Sequence, residues 1–167
     1  MPNAPAGIGA IDIPGIQAHS AQGTWLQMEK VFGQGIITGE FETISRLRNI
    51  KGPNFSVKDQ DVTSHDSELG IMQYEPGLID LGELTADQFF LPESLIQAAF
   101  EAHAYNRDIV YFRLLMRSKG VTLAYRTGYA YVKTMGDSYP SDGGMMQRNI
   151  SIRLTGQWPL ATGDPGT

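Results

Sequence analysis

At 167 residues, with 41% apolar side chains and seven each of phenylalanine and tyrosine, the chain has the length and content of one folded domain with its own core. A net charge of −5 offers no general basic surface for gripping nucleic acid, and the absence of cysteine excludes a disulfide scaffold, thiolate metal sites and a cysteine nucleophile. Nineteen glycines in so short a chain favour short strands joined by turns over long helices.

Residues 1–24 are rich in Ala, Gly and Pro and almost uncharged. They lack the basic start and sustained apolar run of a signal peptide or anchor, and no stretch of the chain reaches the roughly 20 apolar residues of a membrane span, so a soluble protein is expected. Two roles fit this arm: frayed on the isolated subunit, or ordered against a neighbouring one. From Trp25 to Ile50 the chain turns apolar and β-branched, with Ile36, Ile37, Thr38, Phe41, Thr43, Ile44 and Leu47, and strands are expected, broken around Gly33, Gly35 and Gly39. Gly52-Pro53-Asn54 signals a turn, and Phe55 to Val62 reads as a strand that loses its apolar face as it proceeds.

Residues 59–83 combine acids, Gly and Pro with isolated large apolar residues, among them Ile71, Met72, Tyr74, Leu78, Ile79 and Leu81. The pattern predicts a long loop, and because a solvated linker has no use for such side chains, one that packs on something. A helix follows: Pro92 suits the first helical position, Leu95, Ala99 and Ala102 repeat at helical spacing beside Ile96 and Phe100, and Asn106 is a reasonable stop. The remainder reads as sheet. Ile109–Arg117 turns at Ser118-Lys119-Gly120, and alternating runs lie on either side of a break at Thr127-Gly128. A closing strand around Ile150, Ile152 and Leu154 comes before a small, polar tail over 159–167 that is expected to be flexible.

Charge is uneven along the chain. Every charged residue from Asp59 to Asp87 is acidic, whereas Arg and Lys dominate from Arg107 onward. Two roles fit here as well: complementary faces on a self-stacking subunit, or solubility alone.

Catalytic signals are weak. Gly136-Asp137-Ser138 has the look of an esterase nucleophile block, but no histidine follows His103 to serve as base and Pro140 breaks the Gly-x-Ser-x-Gly pattern, so a tight turn is the better reading. Asp137 to Gly143 fails as a calcium loop because Asp142 stands where glycine is required. His19, His65 and His103 show no zinc-ligand spacing. No metal, cofactor or enzymatic activity is expected.

The run GPNFSVKDQDVTSHDS (52–67), followed by YEPGLIDLGEL (74–84), resembles the tail-tube proteins of phages with long non-contractile tails. Asp61-Val62-Thr63, His65-Asp66-Ser67 and Pro76-Gly77-Leu78 with Asp80, Gly82 and Glu83 match that family's pattern, and the likeness extends over roughly residues 36–158. It implies a mainly β fold, a β-sandwich or partly closed barrel of two sheets with one flanking α-helix spanning 25–158. It also implies hexameric rings stacked into a tube through which double-stranded DNA passes without specific binding, in a virion tail assembled in the host cytoplasm away from any membrane. Tape-measure, tail-tip and terminator proteins are the implied partners. Asp61, His65, Asp66, Ile71, Met72, Tyr74, Leu78 and Asp80 would contact neighbouring subunits. Asp59, Glu68, Glu75, Glu83 and Asp87 are candidates for an acidic lumen or stacking face. The alternatives are a single-ring tail terminator, a subunit like that of the type VI secretion tube and, remotely, a small serine esterase on Ser138.

Overall fold

A computed structural model describes residues 23–29, 39–63 and 72–166. The arm through residue 22, the Ile36-Ile37-Thr38 run and the segment 64–71 lie outside the described residues. In chain order the elements are β1 (Trp25–Glu29), β2 (Phe41–Thr43), β3 (Leu47–Lys51), β4 (Ser56–Asp61), β5 (Tyr74–Asp80) and β6 (Glu83–Phe89), then α1 (Leu95–Asn106), β7 (Val110–Ser118), β8 (Val121–Ser138), β9 (Gln147–Thr155) and β10 (Leu160–Thr162). One large antiparallel sheet runs β2-β1-β7-β8-β9-β6-β3, with β10 also on β8, while β4 and β5 form a separate two-stranded sheet. The mainly β, two-sheet, one-helix expectation is met.

β8 organises the sheet. Its first half pairs with β7, from Ser118↔Val121 to Val110↔Ala130, and its second half pairs with β9, from Tyr129↔Thr155 to Ser138↔Gln147. At roughly 3.4 Å per residue it is long enough to serve both partners in succession. The register shift between Val132 and Thr134 bends the strand as it passes between them. The turn expected at Ser118-Lys119-Gly120 is the two-residue connection Lys119-Gly120, with Ser118 still paired in β7, and both turn residues take the positive φ that a tight hairpin of matching twist requires.

Alternation supplies the core. Leu84 and Ala86 of β6, Phe112 and Leu114 of β7, and Ile150, Ile152 and Leu154 of β9 point inward together with Leu26, Met28 and Ile44. α1 covers this layer by setting Phe100 edge-on against Phe112, with ring centroids 6.5 Å apart. Burying one such side chain is worth about 1.5–3 kcal/mol, which a solitary helix of this length needs to persist.

Several expectations are corrected. α1 starts at Leu95 after Ser94, so Pro92 lies in the preceding turn; of the expected stripe Ile96 and Phe100 are buried and Ala99 packs against the core, Leu95 and Ala102 are exposed, and Gln97 joins the buried face. Leu95 is 87% exposed. Gln97 can be buried because its amide donates to Phe89 O and accepts from Leu91 N–H, stapling the helix start to the end of β6. Thr127-Gly128 does not break the strand. A Cβ on Gly128 would lie 2.5 Å from Trp158 Nε1, so the glycine is a slot for the indole, which donates to Tyr129 O. With Trp158 so anchored, the tail is not loose: Leu160–Thr162 pairs with Ala124–Arg126. Gly136-Asp137-Ser138 is likewise the paired end of β8 and not a turn.

Where it is described, the segment 59–83 is largely strand rather than irregular loop. β4 pairs with β5 from Ser56↔Asp80 to Asp61↔Tyr74, and β6 begins at Glu83. Pro76 is tolerated because each strand of a two-stranded ribbon has a free edge. The register shift beside it brings Gly77 so near Lys58 that a Cβ would sit 2.8 Å from the Lys58 carbonyl oxygen.

Candidate assembly interface

Among the described residues no layer packs over the β4–β5 ribbon, and its large apolar side chains are exposed. Leu78 is 83% exposed, Ile79 68%, Met72 65% and Tyr74 58%. Large uncovered apolar side chains on a two-stranded ribbon mark a candidate contact surface. Register defines its faces: Val57, Asp59 and Asp61 stand on the same side as their ladder partners Ile79, Pro76 and Tyr74.

The ribbon's base is tied firmly to the body. Asp80 accepts two hydrogen bonds of 2.8 Å from Arg153 and one from Gly82 N–H. The Gly82 N–H and, after it, Arg153 hold its carboxyl below the usual carboxylate range. Glu83 accepts from Lys133 and from Ser151, and these bonds depress its pKa as well. Beside these pairs, Phe55, Ile79 and Leu81 line an apolar groove of about 390 Å³ with Arg126, Trp158 and Pro159.

The structure separates the residues that sequence reading grouped. Asp80 and Glu83 are neutralised within the subunit by Arg153 and Lys133, so the linear division of charge does not carry over intact to the surface. Asp87 accepts from Asn49, and Asp61 is occupied by the Thr63 hydroxyl and N–H, which lower its pKa. Asp59 and Glu75 are exposed on the ribbon and meet no cation among the described residues. Met72 and Tyr74 adjoin, with the Tyr74 hydroxyl donating to Met72 Sδ at 3.1 Å. His65, Asp66, Glu68 and Ile71 lie outside the described residues.

Sequence reading missed a second surface. On the outer side of the large sheet, the Arg113 guanidinium sits 3.8 Å from the centre of the Phe41 ring and that of Arg117 3.9 Å from Trp25. Tyr111 and Tyr129 continue the aromatic row. The four cation–π residues line an open groove of about 780 Å³ together with Glu40 and Asp164. Alternation along β7 contained the signal, because placing Phe112 and Leu114 inward forces Arg113 and Arg117 outward.

A third charged cluster is internal. Arg148, 1% exposed, donates to Asp137 from Nε at 2.6 Å and from Nη2 at 3.0 Å, and to Glu101 at 3.1 Å, while covering the Phe90 ring. Hydrogen bonding to Arg148 pulls the Asp137 pKa down. The acid of the Gly-Asp-Ser stretch is thus engaged in tying β8 to β9 and α1, and His103 contacts Asp108 at 2.8 Å.

No protein-family profile and no curated protein matches the sequence. Solved structures do match in shape, and the chain shares its fold with proteins of phage and phage-like tails. The tail of an empty gene transfer agent (GTA) particle, computed with C6 symmetry, superposes with a TM-score of 0.68 at 15% identity, over 87% of this chain and 100% of that one. The SPP1 tail tube gives 0.63 at 13%, over 88% and 80%. The tube-terminating cap of the anti-feeding prophage gives 0.66 at 11%, over 95% and 100%.

Proposed function

We propose that this chain is a structural virion protein that self-assembles into stacked hexameric rings, forming the tail tube through which DNA is ejected. The observation that carries the reading is the β4–β5 ribbon, whose Leu78, Ile79 and Tyr74 are solvated on a lone subunit and gain cover by meeting another copy. The likeness to subunits of assembled tails supports it. Tape-measure, tail-tip and terminator proteins would be the further partners, assembly would take place in the host cytoplasm, and no cofactor or catalytic step is required.

Electron microscopy of concentrated purified protein tests the reading, with rings or tubes expected. Leu78→Asp should prevent them while leaving the monomer's stability within about 0.5 kcal/mol, since the side chain is exposed. Strictly monomeric wild-type protein, even with tail partners added, would remove the proposal. The likeness to the anti-feeding prophage cap favours a second reading, a terminator that stops at one ring. Particle length separates the two.

A further inference from the structure

Two surfaces on one copy are chemically complementary. The first is the outer face of β1, β2 and β7, where Arg113 and Arg117 rest on Phe41 and Trp25. Neither guanidinium pairs with a carboxylate among the described residues, and both Nε atoms are buried without an acceptor, although Arg117 Nη2 donates to Gly120 O. An aromatic ring beneath a guanidinium limits its rotamers and presents its remaining N–H groups in a fixed fork suited to a carboxylate. The second is the ribbon face on which Asp59 and Asp61 stand among Val57, Ile79 and Tyr74. Acids flanked by apolar groups match bases flanked by rings.

Within one copy these surfaces do not meet. A molecule carrying two complementary patches that it cannot join to each other associates head to tail, giving a closed ring or an open stack according to the rotation between copies. Resting on the self-assembly reading above, we propose that the Arg113–Arg117 face of each copy receives the Asp59–Asp61 face of the ribbon from the next.

Charge exchange tests this. Arg113→Glu/Arg117→Glu and Asp59→Arg/Asp61→Arg should each fold, as circular dichroism would verify, and each should lower the sedimentable fraction at least about tenfold. Because Asp61 also holds Thr63 N–H, Asp59→Asn/Asp61→Asn, which keeps an acceptor there, provides a milder version with the same direction of effect. Mixed in equal amounts, the two reversed proteins should co-assemble, since every contact in an alternating array is again between opposite charges. Wild-type assembly combined with unimpaired assembly of either reversed protein, or with a mixture that stays dispersed, would overturn the pairing while leaving self-assembly standing. Duplex DNA binding lost in Arg113→Glu/Arg117→Glu, with assembly intact, would assign the face to nucleic acid instead. Wild-type protein that never sediments would remove the self-assembly reading, and this inference with it.

Discussion

Replacing Arg148 by Met removes the cation that joins three elements while roughly preserving apolar volume. Arg148 is almost fully buried and reaches Asp137 on β8 and Glu101 on α1 from its place on β9. Breaking a buried ion pair from one side costs about 3–5 kcal/mol, because the abandoned charge stays in a poor solvent. Here the abandoned carboxylates are side chains 26% and 34% exposed, so water recovers part of that loss and about 2–3 kcal/mol is expected. For a domain of this size that corresponds to a fall in Tm of roughly 4–12 °C, measurable by circular dichroism on dilute, unassembled protein. Adding Asp137→Asn to Arg148→Met should restore part of the loss, giving a coupling of about 0.5–3 kcal/mol in a double-mutant cycle. An Arg148→Met protein within about 0.5 kcal/mol of wild type would refute the claim that this cluster holds the helix to the sheet.

Gly128→Ala should destabilise the fold by about 1–3 kcal/mol, because its Cβ would collide with the Trp158 indole, and proteolysis should then open the C-terminal segment around Leu160 before the rest. Asp80 has a depressed pKa in the folded state, so its contribution is complete above the usual carboxylate value near 4 and is lost as pH falls through the lower folded value. Acidification through that window should speed amide exchange at Gly82 before global unfolding; exchange that instead tracks unfolding would contradict the tether. In Arg153→Gln the same onset should move to higher pH, as Asp80 loses its cationic partner.

Local chemistry made much of this architecture readable before any coordinates. The turn after Ile109–Arg117, the alternating runs around Leu123, Tyr131 and Ile152 and the single helix are written in turn residues and periodicity, which act over a few neighbours. Likewise, the exposure of Tyr74, Leu78 and Ile79 follows from apolar residues scattered among acids, Gly and Pro. Tertiary structure alone decided where long-range pairing overrides those local signals. Gly128 looks like a strand breaker until Trp158, thirty residues later, needs its missing Cβ, and the polar tail becomes a strand once that indole is anchored. Asp80 and Glu83 look like free acids until Arg153 and Lys133, distant in sequence, close over them. Side-chain type and spacing set what each segment can do, but which charges stay open for a neighbour depends on contacts between residues that only the completed sheet brings together.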